Sequence, residues 1–250
     1  MKKLILLLLF IPLCFLHSQK NSNTYTSIEN NYKISKSEKA NEYYDEATFL
    51  SLTASELEIN GKKEDAIKIY KKAIDRFKKA LLIDSLFTDA LDNMALCYRR
   101  INEVDNAIFY YKKSLKIMPN NRMALNNLGT AYIAKGDFNN AIETYTSLLS
   151  VVEPNDKESA ASRNFYKAEP YYGLAQTYFK MENYEKSKEY SFLASEIWKQ
   201  NDLIEYSQDA LYIYAFSEYF MGNEKKATDI LIELANNGHQ GSKDVLAYPE

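Results

Sequence analysis

The sequence predicts an all-α chain: a solenoid of about five helix-turn-helix hairpins. Three observations carry that prediction. From about residue 41 to 237 the apolar residues recur at helical spacing, with no stretch that alternates as a half-buried strand does. Seven Gly and five Pro in 250 residues are too few for a loop-rich β-sandwich. The grammar of residues 97–115, CYRRINEVDNAIFYYKKSL, returns at 131–149 as AYIAKGDFNNAIETYTSLL, 34 residues later.

The first elements are not part of that array. Lys2 and Lys3 precede a 13-residue apolar run, LILLLLFIPLCFL at 4–16, and His17-Ser18-Gln19 then turns polar. That is the layout of a secretory signal peptide, assigned to 1–18, and the run is short for a membrane span. Leu13 is bulky where a lipoprotein signal has a small residue before its cysteine, which argues against a lipid-anchored form through Cys14. Cleavage removes Lys2, Lys3, Cys14 and His17 and moves the formal charge from −3 to −5. One cysteine (Cys97) then remains, too few for an internal disulfide. The expected location is outside the inner membrane, periplasmic or secreted, with no membrane span in the mature chain. Residues 19–40 read as a flexible polar leader, rich in Asn, Ser and Lys.

The hairpins follow in order. The first, 47–87, carries Leu50, Thr53-Ala54, Leu57, Gly61, Ala66, Tyr70 and Ala73. From Ala66 to the equivalent Ala107 is 41 residues, seven more than the repeat; seven residues are two helical turns and keep the apolar face in phase, so an overlong helix is predicted over 64–83. The second, 88–121, carries Leu91, Met94-Ala95, Tyr98, Ala107, Tyr111 and Pro119. The third, 122–155, carries Leu125, Leu128-Gly129, Tyr132, Gly136, Ala141 and Tyr145. After an insertion near 154–168, the fourth (168–201) has Tyr171, Leu174-Ala175, Tyr178, Tyr184, Ser187 and Ala194. The fifth (208–241) has Leu211, Tyr214-Ala215, Gly222, Ala227, Leu231 and Leu234, with Glu218 where an aromatic is expected. The 40-residue step from Ser187 to Ala227 implies a longer helix or loop around Trp198–Ser207. Residues 242–250 read as a tail.

Each recurring position has a physical use. A small residue after a large one on the first helix (helix A) lets the second (helix B) approach. The small residue of helix B marks the crossing point, where bulk would separate the axes. Gly136 suits a left-handed helix end, Asp137 can cap the next helix, and Pro119 stops helix B. This pattern resembles the tetratricopeptide repeat over roughly residues 47–241. The resemblance implies a right-handed superhelix whose concave face is lined mainly by the A helices.

The search for reactive chemistry is negative. The sequence has no glycine-rich nucleotide loop, HExxH, GxSxG or calcium-loop pattern. No catalytic residue, metal ligand or cofactor is assigned. His239, in NNGHQGS, reads as a solvent-exposed loop residue, and Cys97 as a small apolar filler. No basic stripe points to nucleic acid.

Function is therefore sought in shape. The resemblance implies that positions 2, 5, 6, 9, 12 and 13 of each repeat face the groove. These are Asp89, Asp92, Asn93, Leu96, Arg99 and Arg100 in the second repeat, and Met123, Asn126, Asn127, Thr130, Ile133 and Ala134 in the third. The fourth supplies Tyr172, Gln176 and Phe179 among others, and the fifth Tyr212, Phe216, Tyr219 and Phe220. Asn93, Asn126 and Asn127 suit the backbone of an extended peptide, and Arg99 and Arg100 a carboxylate. The aromatics offer contact area or pack internally. The first-repeat sites Ser51 and Ser55 do not reproduce the basic clamp of chaperone-binding members. The expected function is a non-enzymatic scaffold for a protein or peptide segment in the cell envelope. The alternatives are a self-assembling component (a homo-oligomer), since no polar capping helix is evident after 237, and a small-ligand receptor or enzyme using the C-terminal aromatics.

Overall fold

The computed structural model describes residues 35–151 and 160–247, with side chains from residue 166 onward in the second stretch. The proposed signal at 1–18, Cys14, most of the leader and part of the insertion lie outside the described residues. The chain divides at residue 151 into two compact units.

The N-terminal unit holds three antiparallel hairpins. They are α1 (Glu38–Ile59) with α2 (Lys63–Ile83), α3 (Thr88–Arg100) with α4 (Val104–Ile117), and α5 (Arg122–Lys135) with α6 (Phe138–Ser150). Each helix packs on its sequence neighbours, and the A helices also touch in the order α1, α3, α5. The long α2 is the helix that the seven extra residues require. The C-terminal unit holds α7 (Ala160–Lys180) with α8 (Tyr184–Lys199) and α9 (Ile204–Phe220) with α10 (Glu224–Asn236). A short α11 (Gln240–Leu246) packs on α10.

The repeat positions are the core. Leu91, Met94, Ala95 and Tyr98 of α3 are buried against Ala107 and Tyr111 of α4. Leu125, Leu128 and Tyr132 of α5 are buried with Ala141, Tyr145 and Leu148 of α6. At Gly129 the approach is at its limit: a Cβ there would lie 2.6 Å from Cζ of Tyr145. Only glycine admits that ring. The A–B turns each contain one residue at positive φ. Gly136 fills that position at φ 79°, and Asp137 then caps α6 by accepting from the Asn140 amide. Asn102 and Glu182 adopt the same backbone at φ 64° and 59° without being glycine.

Several sequence expectations are corrected. The leader ends earlier than residue 40: α1 begins at Glu38, with the Ser37 hydroxyl accepting from the Ala40 amide. Half of the insertion is helical, because α7 starts at Ala160 and carries Pro170 within it. By contrast, the longer helix or loop expected around Trp198–Ser207 is met by the long helices α8 and α9, and Trp198 is a core residue with Ala168, Ala194 and Ala210. A capping helix does follow residue 237: α11 places Val245 on the Ala215/Phe216/Leu231 cluster. His239 is no exposed loop residue. It is 9% exposed and starts that helix.

Candidate functional site

On the A-helix face of the N-terminal unit, α1 and α3 are joined by a ladder of side-chain contacts. Asn93 Nδ2 donates to Tyr44 Oη at 3.0 Å. Cys97 Sγ lies 3.5 Å from Ser51 Oγ. Arg100 Nη1 donates to Glu58 Oε2 at 3.2 Å, and the same oxygen accepts from Tyr70 Oη at 3.1 Å. The Arg100 and Glu58 side chains are only 12% and 20% exposed, so this pair neutralises the arginine inside the protein. Arg99 is half-buried, lies against Tyr111, and has a buried Nε without a hydrogen bond.

Between α3 and α5 the face is less committed. Asn121 caps α5 through Oδ1, which accepts from the Ala124 amide, and its Nδ2 donates to Asp92 Oδ2 at 2.8 Å. Thr130 Oγ1 bonds to the Asn126 carbonyl and to Tyr145 Oη, both at 3.1 Å. Asn127 is half-buried, with no hydrogen bond of its side chain among the described residues. Met123 beside it is 44% exposed. Burial pushes the carboxyls of Asp89 and Asp92 up to about 7.

In the C-terminal unit the predicted groove aromatics meet one another. Tyr172 stands 5.3 Å, edge-on, from Trp198. Phe179 packs on Tyr184 and Phe220, at 5.5 and 5.9 Å. Tyr212 packs on Phe216 at 4.8 Å and on His239 at 5.0 Å. Phe216 is itself a core residue, 8% exposed. Gln176 is half-buried, with no side-chain hydrogen bond among the described residues. A depression of about 590 Å³ lies elsewhere, lined by Lys188, Glu218, Asn223 and Lys226 among others.

These hairpins match a known sequence pattern. Profiles described as tetratricopeptide repeat match residues 88–121, 124–159 and 168–191. The chain carries tetratricopeptide repeats. Solved tetratricopeptide-type structures share the fold. MamA 41-end from Desulfovibrio magneticus RS-1 is 17% identical with a TM-score of 0.56, over 81% of this chain and 96% of that one. A putative kinesin light chain with TPR-like repeats from Podosopora anserina is 15% identical with a TM-score of 0.57, over 78% and 95%. A tetratricopeptide repeat protein from Parabacteroides merdae is 18% identical with a TM-score of 0.52, over 76% and 64%. No curated protein matches the sequence.

Two features of the repeats were not legible in the sequence. Asp209, His239 and Ser242 meet in the fifth repeat. His239 Nδ1 accepts from the Ser242 amide at 3.1 Å and lies 2.9 Å from Ser242 Oγ; its Nε2 lies 3.2 Å from Asp209 Oδ1. An amide can only donate, so Nδ1 is the acceptor and Nε2–H donates to Asp209. The order resembles a Ser-His-Asp triad, but Ser242 is fully buried and the imidazole is used as the helix cap of α11. The second feature is Glu218, 2% exposed, which accepts from Lys226 at 2.7 Å and Asn223 at 2.6 Å. Burial opposes its charge, but hydrogen bonds from Lys226, Asn223 and Tyr214 outweigh it and hold the carboxyl below its ordinary range. Cys97 is inert at neutral pH, because burial pushes its thiol up to about 12. Among the described residues no group of three or more His, Cys, Asp or Glu could hold a metal ion, and no helix is long and apolar enough to cross a membrane.

Proposed function

We propose that the chain is a non-enzymatic scaffold that binds a protein or peptide segment on the A-helix face of its N-terminal unit, between α3 and α5. One observation carries this reading. Within the tetratricopeptide repeat at 124–159, Asn127 stands at a groove position with hydrogen-bonding capacity left for a partner, and Met123, just before that repeat, is exposed. An asparagine amide offers both a donor and an acceptor to an extended backbone, the pairing that holds a peptide without reading its sequence. Leu96, half-buried on the neighbouring helix α3, adds apolar surface. The aromatics Tyr172, Phe179, Tyr212 and Phe216 contribute rigidity, since their rings already pack on neighbours. The reading includes export through residues 1–18 into the cell envelope, supported by the charged start and the apolar run at 4–16.

The test is a comparison of two charged surface variants in quantitative affinity capture from the source cells. Leu96→Glu with Asn127→Arg should strip a specific partner from the chain, while Phe109→Glu on the exposed face of α4 should keep it. Equal recovery with both variants refutes the A-helix face as the binding surface. Homo-oligomerisation is a second reading, favoured by Phe49, Leu52 and Ile59, which expose an apolar row along α1. Sedimentation velocity giving a monomer at all concentrations removes it.

A further inference from the structure

We propose that the outer face of α2 docks the protein on an anionic lipid surface. Lys71, Lys72, Lys78 and Lys79 meet the headgroup phosphates, and Leu82 and Leu86 enter the acyl boundary beneath them. This face is not the peptide-binding surface described above, and the two act independently.

Lys71 and Lys78 are seven residues apart, as are Lys72 and Lys79, and Leu82 follows the second pair four and three residues later. Such steps return to one side of a helix, and all five residues are exposed. In the sequence the run is broken by Ala73, Ile74 and Phe77, which the helix turns into the core. Four exposed lysines against the exposed Asp75 leave a formal +3 on this face, in a chain whose total is −3. The carboxylates at its margin are engaged, Asp65 by Lys68 and Glu46 by Arg76, each at 2.9 Å. Lys78 lies over the Tyr98 ring at 5.9 Å and Lys79 over the Tyr43 ring at 5.5 Å. A ring steadies an ammonium without neutralising it.

The face ends in exposed apolar side chains. Leu82 is 85% exposed, more than any other large apolar residue among the described ones, and Leu86 is 50% exposed. Asp84 between them is used within the loop, where its Oδ1 accepts from the Leu86 amide at 3.0 Å. The two leucines therefore stand on a fixed turn. The repeat itself does not require this end. Helix α2 has 21 residues against 14 in α4 and 13 in α6, and the added turns, 77–83, carry Lys78, Lys79 and Leu82. Cations beside exposed aliphatic side chains fit a bilayer, which offers phosphates at its surface and hydrocarbon just below. Nucleic acid offers the phosphates, but its bases stack on aromatic rings and not on leucines.

The test is vesicle co-sedimentation of the chain from residue 19, which holds every described helix and lacks the apolar run at 4–16 that would itself enter a bilayer. Vesicles of equimolar phosphatidylcholine and phosphatidylglycerol should take up the protein, and vesicles of phosphatidylcholine alone should not. Lys71→Glu with Lys72→Glu should weaken uptake by about tenfold or more, since each lysine near the surface contributes about fivefold. Leu82→Ser with Leu86→Ser should weaken it by about tenfold at constant charge. Lys199→Glu with Lys225→Glu, an equal change of charge at exposed sites of the C-terminal unit, should leave uptake as it was. So should Leu96→Glu with Asn127→Arg, which keeps this proposal separate from the scaffold reading. Equal uptake by both vesicles, or uptake indifferent to the Lys71/Lys72 or the Leu82/Leu86 variant, overturns the proposal. Retention of a DNA duplex without vesicle uptake overturns it in favour of nucleic acid. Self-association lost with Leu82→Ser, again without vesicle uptake, overturns it in favour of a second copy. If a variant does not fold, an environment-sensitive dye on Leu82→Cys decides, because Cys97 is buried and leaves the new thiol to react. Its emission should shift to the blue with the mixed vesicles, and an unmoved emission overturns the proposal.

Discussion

Gly129→Ala is the sharpest perturbation of the fold. Only a methyl group is added, but it is added where α5 meets α6. The new Cβ would sit 2.6 Å from Cζ, 2.8 Å from Cε2 and 2.9 Å from Cε1 of Tyr145. Ordinary carbon contacts begin at about 3.5 Å, so the ring or the helix must retreat by roughly 0.9 Å. Tyr145 is 1% exposed and has no free volume to enter, and its Oη lies 3.1 Å from Thr130 Oγ1. Overpacking of this kind costs about 1–3 kcal/mol, and weakening the tyrosine hydrogen bond adds about 1 kcal/mol. Against that, alanine gains about 1 kcal/mol over glycine within a helix. The balance is a loss of about 1–3 kcal/mol, read from the urea midpoint of the transition by circular dichroism. In a Tyr145→Leu background the same substitution should become neutral or stabilising, so the double-mutant cycle should show coupling of about 1 kcal/mol or more. An unchanged or raised midpoint for Gly129→Ala alone would show that the helices do not meet at this residue.

Other consequences follow from single sites. Arg100→Ala should lower stability by about 1–3 kcal/mol in urea denaturation, because it leaves the Glu58 carboxylate in a largely buried place with the Tyr70 hydroxyl still donating to it but no cation beside it. Glu182→Gly should raise the urea midpoint, worth about 0.5–1 kcal/mol, by relieving a left-handed backbone at φ 59°. Glu218→Gln should destabilise by about 1–3 kcal/mol at neutral pH, since it removes the charge that Lys226 and Asn223 hold. Because the folded carboxyl is held low, the contribution of Glu218 is present above the unfolded value and is lost as pH falls through the folded one. Asp89 and Asp92 act in the opposite sense. Their folded carboxyls stand at about 7, above the unfolded value, so the folded state holds more protons between about pH 4 and 7. Stability from this pair should fall as pH rises through that window, and Asp92→Asn should flatten the fall in a pH series of urea melts.

The array was legible because its determinants are local and periodic. Ala107, Ala141 and Ala227 mark helix crossings wherever the chain goes, and all three are fully buried. Gly136 marks a turn by its own backbone freedom. The partners of the polar residues were not legible. Asn93 meets Tyr44 across 49 residues, Arg100 meets Glu58 across 42, and His239 meets Asp209 across 30. Such pairs depend on how neighbouring helices register, which the spacing within one repeat does not encode. Arg100 therefore read as an open cation and His239 as an exposed loop residue. The aromatics raised the same difficulty: Tyr212 and Phe216 occupy groove positions by number, yet their rings turn onto each other and onto a helix cap. Asn102 and Glu182 carried no turn signal because side-chain type does not announce a left-handed backbone as glycine does.

The most direct measurement of the scaffold reading is site-specific photo-cross-linking in the source cells, with p-benzoylphenylalanine placed singly at Asn127 and at Phe109. The account predicts a discrete adduct at Asn127, lost when excess unmodified chain is supplied, and none at Phe109. Adducts of equal yield at both positions, or at Phe109 alone, would contradict it.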